Sequence, residues 1–322
     1  MNKSSTNEKN EKTGYCLPSA FSAKKMIRKF VTDWRLYILL FPAFSYMFVF
    51  HYIPIYGVII AFKDFRTNLG IWDSEWAGLK HFIRFVSFPN FWLIIKNTVR
   101  ISSYSLATFP CPVILALMIN ELTNLKFKKM VQMVTYAPHF LSTVVVCSML
   151  LLFLNANSGV VNNIREAMGL ERVEYILIAH YFEDIYVWSG VWQGIGWGTI
   201  IYLAALSNVS PELVEAASID GATRLHIIRN INIPSILPII VIMLILSCGG
   251  ILSVGFEKVY LLQKPLNLSR SQVISTYVYN IGLVSGQFSY ASAIGLFNTA
   301  VNVTILCIVN IVAKKVSEIS IW

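Results

Sequence analysis

Two groups of residues in this 322-residue chain have types and spacings that could do chemistry, and in both it is the chemistry of non-covalent binding. The first lies in residues 210–234, SPELVEAASIDGATRLHIIRNINIP. Ser210 can cap a helix there, with Pro211 in its first position and Glu212 near its positive end, giving a helix through about Ser218. Gly221 supplies a turn, Ala222 to Ile231 resumes helical spacing, and Pro234 is expected to stop it. Ala216 and Ala217 keep the first helix slim enough to enter a groove, while Glu215 and Asp220 can bond donors on a partner. The second group, Trp192, Gln193, Gly194 and Trp197, sits in the apolar run VWSGVWQGIGWGTIIYLAAL. Indole faces can stack on a sugar ring, and a buried amide must find partners. The same residues would serve packing equally well, with Gln193 bonding a neighbouring helix. Asn298 and Asn302, one turn apart in a later apolar run, open the same two readings.

The elements that must hold these residues are membrane helices. Apolar residues make up 56% of the chain and charged ones only 13%, against about 25% charged in a soluble domain. Six stretches, at about 36–62, 99–119, 133–154, 186–206, 235–253 and 291–313, could each cross the bilayer, which takes about 20 helical residues. The expected fold is therefore all-α and polytopic, with a basic segment 1–35, a first span 36–62, a loop 63–98, a five-helix core 99–313 and a tail 314–322. With the N-terminus inside, 15 Lys and Arg fall on the inner side against 10 on the outer. That bias favours N-in and C-in. The first span is too long, and too far from the terminus, for a signal peptide, and is expected to remain as an anchor.

The net charge of +9 is uneven: residues 1–35 hold eight basic and three acidic residues, or +5 of it. Lys24, Lys25, Arg28 and Lys29 stand just before the first span, as an inner-surface anchor for anionic lipid headgroups would. Residues 19–31 have the spacing of a short surface helix or simply form that flank. No basic face suits a nucleic acid. Prolines in four spans (Pro42 and Pro54, Pro110 and Pro112, Pro138, Pro238) predict kinks or breaks of the kind found in transport pathways. Gly190, Gly194 and Gly198 share one helical stripe, for which close helix packing is the expected role.

Several functions are excluded or disfavoured by what is missing. The five cysteines (Cys16, Cys111, Cys147, Cys248, Cys307) form no CxxC and no metal-spaced pair with histidine, and read as small buried hydrophobes. No Gly-Lys pair completes a phosphate loop, so no nucleotide site is expected in this chain. A membrane-embedded enzyme would need convergent His, Asp, Glu, Ser or Cys. The spans offer His51, His139 near an end, and no interior carboxylate. A non-transporting receptor or scaffold is the other alternative.

The string E-A-A-x-x-x-G at Glu215 to Gly221, followed after nine residues by I-x-I-P ending at Pro234, resembles the EAA loop of ABC importer permeases, with Ile233 where that family usually has Leu. YIPIYGVIIAFKDF (52–65), FPCPVILALMINEL (109–122), YAPHFLSTVVV (136–146) and GWGTIIYLAAL (196–206) are similar to its carbohydrate branch, and to the LplB group assigned to complex oligosaccharides or polysaccharides. The resemblance implies the type I, MetI-like permease fold in a bacterial plasma membrane. It implies four kinds of partner: a second homologous permease, two cytosolic ATPase subunits that bind ATP and Mg, an extracytoplasmic sugar-binding protein, and membrane lipid. No cofactor is expected in this chain. The EAA helix would be the coupling helix, with Glu215, Ala216, Ala217, Asp220 and Gly221 as its residues. In maltose-type relatives the sugar touches the regions that correspond here to Tyr136, Pro138 and His139, and to Trp192, Gln193, Gly194 and Trp197. His139 could bond a hydroxyl, or serve structure beside its proline.

Overall fold

The computed structural model describes residues 32, 34–317 and 320, so Cys16, the basic cluster at Lys24 to Lys29 and the helix expected over 19–31 lie outside the described residues. Residues up to Gly57 form one compact unit and those from Val58 a second. Of the first unit, the described residues from Trp34 lie in one helical run, α1, Trp34–Phe62. None of its residues from Trp34 to Ile55 is buried, and Leu39, Phe41, Phe44 and Phe50 stand exposed around it. A helix apolar on all sides belongs in lipid.

Pro54 shows how this chain accommodates a proline inside a helix. Its ring would clash with the carbonyl one turn back, and its missing N–H leaves that carbonyl without a donor. The turn before it, Phe48–Tyr52, is widened to a π-helix, and the Ile53 amide donates to the Phe48 carbonyl five residues back.

The second unit opens with the only ribbon among the described residues: β1, Lys63–Arg66, pairs antiparallel with β2, Ser74–Trp76, Lys63 opposite Trp76. There follow α2, Lys80–Val86, and α3, Phe91–Asn120. α4, Leu125–Phe140, and α5, Thr143–Phe153, meet at an angle of 96°. Next come α6, Val160–Ala167; α7, Phe182–Leu206; α8, Pro211–Ile219; and α9, Arg224–Gly249. The chain continues through α10, Phe256–Leu262; α11, Ile274–Val284; and α12, Phe288–Ser317. The helices α1, α3, α9 and α12 are long and apolar enough to cross a membrane, and the α4–α5 pair makes a fifth if counted as one bent span. The 25-residue α7 is about 37 Å long at 1.5 Å per residue. Its glycines, indoles and Gln193 make it less apolar than the other five.

α3 is the spine of this unit, since it contributes to all three buried clusters. Phe91 and Ile94 pack with Phe85, Tyr277, Tyr290 and Ile294; Ile101 packs with Cys147, Phe182 and Val259; Val113, Ala116 and Leu117 pack with Tyr202, Leu206 and Ile236. Buried polar groups stitch the same surfaces. Asn97 donates to the carbonyls of Ser269 and Gln272, each at 3.1 Å, and Thr98 Oγ1 accepts the Ile274 amide at 3.1 Å. Asn302 holds the end of α9, accepting from the Leu252 amide at 3.0 Å and donating to Ser253 Oγ at 2.9 Å. The structural reading of Asn302 therefore applies, while Asn298 keeps a buried carbonyl oxygen without a partner.

Three local expectations are corrected. Pro234 does not stop its helix: Ile228–Asn232 is a second π turn, Ile233 donates to the Ile228 carbonyl, and α9 runs through the proline. Ser210 stands at the N-cap of α8, but its side chain makes no capping bond. The glycine stripe of α7 is only partly a packing surface. At Gly198 a Cβ would press on Pro112, whereas at Gly194 it would meet nothing within 4 Å. The closest helix approach is instead at buried Gly196, on another face, where a Cβ would overlap the Thr135 carbonyl of α4.

These positions separate by experiment. Gly196→Ala forces backbone apart, and is expected to cost about 1–3 kcal/mol of overpacking and to lower the melting temperature of the detergent-purified protein. Gly194→Ala is expected to leave that temperature unchanged.

Candidate functional site: an exposed turn and a cleft

The turn between α8 and α9 is built by backbone hydrogen bonds around one glycine. Gly221 has φ +79°, in the left-handed region that suits glycine. Its amide donates to the Ser218 carbonyl at 3.2 Å and the Ala222 amide to the Ala217 carbonyl at 2.9 Å. This is the Schellman closure of a helix, and it explains why glycine ends the motif. Thr223 then caps the start of α9, its Oγ1 accepting from the His226 amide at 3.4 Å. Glu215, Ala216, Asp220 and Gly221 are exposed and Ala217 is half-buried. Neither Glu215 nor Asp220 has a side-chain hydrogen bond or ion pair among the described residues. The sequence reading missed three apolar side chains here: Leu213, Leu225 and, at 86% exposure, Ile219. Their signal is an apolar residue at each end of a polar turn that has no core of its own. Exposed apolar and acidic groups thus stand together on one turn, a combination suited to a protein partner.

The other candidate residues gather on α7 in two places. At the α4–α5 elbow, the turn of Ala137–Phe140 leaves the Leu141 carbonyl free, and Gln193 Nε2 donates to it at 2.9 Å. The ring of His139 stacks on Trp197 with centroids 4.4 Å apart and planes 6° from parallel. Tyr136 is half-buried on α4 and Trp192 exposed on α7. The structure thus brings His139 and Trp197 together at the elbow. On the other face, α3, α7, α9 and α10 enclose a cleft of about 560 Å³. Gln193 and Gly194 line it; Tyr136, His139, Trp192 and Trp197 do not. Ser102, Ser105, Ser247 and Ser253 add hydroxyls to its wall, and Lys258 an ammonium.

A polar clamp fixes the N-terminal end of α7 against α3. Glu183 Oε1 accepts from Arg100 at 2.9 Å and from Arg270 at 3.3 Å, and Asp184 accepts from the Tyr104 hydroxyl at 2.8 Å. Trp188 Nε1 in turn donates to that hydroxyl at 2.9 Å. Both acids lie in the first turn of α7, where the helix dipole favours them. The sequence signal was Arg100, a cation within an apolar helix, opposite two acids that open another. Among the described residues no cluster of His, Cys, Asp and Glu could hold a metal ion.

Comparisons with known proteins give one answer. The family described as binding-protein-dependent transport system inner membrane component matches residues 94–318. The polygalacturonan/rhamnogalacturonan transport system permease protein YteP of Bacillus subtilis (strain 168) is 42% identical over 300 residues, covering 93% of this chain and 94% of that protein. Protein LplB of the same organism is 39% identical over 287 residues, covering 89% and 90%. A chain in the crystal structure of a bacterial alginate ABC transporter, in complex with an alginate pentasaccharide-bound periplasmic protein, superposes with a TM-score of 0.84. It is 36% identical and the match covers 92% of this chain and 100% of that one.

The clamp makes a direct prediction. Glu183→Ala leaves two arginines without their shared carboxylate and is expected to cost about 2–3 kcal/mol, between the values for exposed and buried pairs. Thermal unfolding of the purified protein reads it, and an unchanged transition would show that the clamp holds nothing.

Proposed function

This chain belongs to the family of binding-protein-dependent transport system inner membrane components, and on that premise we propose how it takes up its cargo and draws on energy. It is a permease subunit of an ABC importer for carbohydrates or oligosaccharides, a multi-pass bacterial membrane protein, and not a catalytic enzyme. In the reading offered here it spans the plasma membrane six times, N-in and C-in, with α7 as one span and the α4–α5 pair as another, in the MetI-like topology of type I importers. It pairs with a second homologous permease and rests on two cytosolic ATPase subunits that bind ATP and Mg. A sugar-binding protein delivers cargo from outside. The cargo is an oligosaccharide cut from a polysaccharide. Relatives named for polygalacturonan, rhamnogalacturonan and alginate support this, as do the hydroxyl-bearing side chains of the cleft.

The observation that carries the coupling role is the Schellman-closed turn with Glu215, Asp220 and Ile219 exposed on it. A surface docked by α8 moves with its partner. Because α9 is helical from Arg224 through Pro234, displacement of α8 passes directly into a membrane helix. Closure of the ATPase pair then moves α9, and with it one wall of the cleft, between inward-open and outward-open arrangements. Glu215 is the polar anchor and Gly221 makes the turn.

Purification of the complex tests the reading: ATPase subunits are expected to copurify, and a sugar-loaded binding protein to stimulate their ATP hydrolysis. Gly221→Asp, whose Cβ would stand in open space on a strained left-handed backbone, is expected to give an inserted, expressed protein without ATP-driven uptake. Normal uptake by that variant would overturn the coupling assignment.

A further inference from the structure

Among the residues lining the cleft, one is charged. Lys258 is carried by α10, outside the helices long enough to span the membrane. Its Nζ donates to the Tyr186 carbonyl at 2.9 Å and lies 5.0 Å from the centre of the Tyr186 ring. Among the described residues no carboxylate lies within ion-pair distance of it. An ammonium has three donors, and the one bond to Tyr186 leaves two of them for the cleft. Gly190 keeps that approach open, since a Cβ there would stand 3.3 Å from Nζ. Burial pulls the ammonium down from its usual 10.5 to about 8. A cation desolvated to this degree and lacking a counter-ion regains Coulomb energy from any anion that reaches it. Every other polar group of the wall is neutral: the serine hydroxyls, Thr108, the tyrosines and Gln193. Such a wall matches a molecule with many hydroxyls and a carboxylate.

We propose that Lys258 is the anion-binding residue of the cleft, and that the sugar passing it is acidic, an oligosaccharide of uronic acid units whose carboxylate the ammonium takes. The inference rests on the reading of this chain as an oligosaccharide permease and adds the charge of its cargo. The hydroxyls of Ser102, Ser105 and Ser253 then exchange hydrogen bonds with ring hydroxyls, and neutral sugars lack the one contact that is charge-assisted.

Equilibrium binding of trigalacturonate, and of the same trisaccharide with its carboxyls methyl-esterified, to the permease–ATPase complex in nanodiscs tests this. The wild type is expected to bind the acid more tightly than the ester. Lys258→Met is expected to weaken the acid about tenfold, the worth of one hydrogen bond to a charged group, and to leave the ester within about twofold. Lys258→Arg is expected to keep the preference. Equal binding of acid and ester by the wild type, no binding of the acid, or an equal effect of Lys258→Met on both would overturn the proposal. ATP hydrolysis by the same nanodiscs separates the two levels of failure. A complex that retains coupled ATPase subunits but does not prefer the acid removes the charged-cargo proposal alone. A chain that purifies without ATPase subunits removes the importer reading itself.

Discussion

Within hydrocarbon, every backbone donor and acceptor must be satisfied inside the protein, and the prolines of this chain make that the constraint on which its other features depend. At Ile53–Pro54 and at Ile233–Pro234 the solution is the same. A π turn ends on the isoleucine, whose amide donates five residues back, and the helix goes on. Beside Pro234, Ser235 donates its hydroxyl to the Ile231 carbonyl one turn back, at 2.6 Å. At Pro138 the solution is different. The chain turns by 96°, and the carbonyl of Leu141 is satisfied by an amide from another helix, Gln193. Two of these three repairs leave a helix continuous, and one makes an elbow that depends on α7.

The elbow explains the divided surface of α7. A helix that must receive a bent backbone at close range needs a residue without a side chain at the contact, and Gly196 is that residue against Thr135. The glycines at 190 and 194 face away from it, where their missing side chains leave the cleft open. Gln193 borders both regions, with its NH2 bound to the elbow while its residue lines the cleft. Packing and the cleft are therefore served by different glycines of one helix, on nearly opposite sides in the case of 194 and 196, which are two residues at about 100° each apart around the axis.

What the sequence makes readable follows from how local each cause is. The closure at Gly221 is legible because Ala217, Ser218 and Gly221 lie within about one turn of each other, and the span positions because about 20 apolar residues leave a long signal. The π turn before Pro234 is not legible, since Ile228 and Ile233 are ordinary helix residues and only their hydrogen bond is unusual. Periodicity tells which glycines share a face but not which face meets a backbone, so Gly196 is hidden among its neighbours. The Arg100–Glu183–Arg270 clamp and the position of Lys258 against Tyr186 join residues far apart in sequence. Nothing in residue spacing reports such a contact.

The continuity of α9 bears most directly on mechanism. Had Pro234 ended the helix, α8 would hang from the membrane domain on a flexible joint, and a force applied at Glu215 would be lost in bending it. A π turn keeps the hydrogen-bonded ladder while leaving its weakest point at Ile228–Asn232. Buried Asn232 braces that point, donating to Glu121 Oε1 at 3.4 Å just beyond the end of α3. A push on α8 is thereby resisted by α3, the helix shared by all three buried clusters. It is delivered to Met243 and Ser247 on the wall of the cleft. In the proposed coupling, energy released in a separate chain would reach the cleft through one helix that bends at a defined place and does not break.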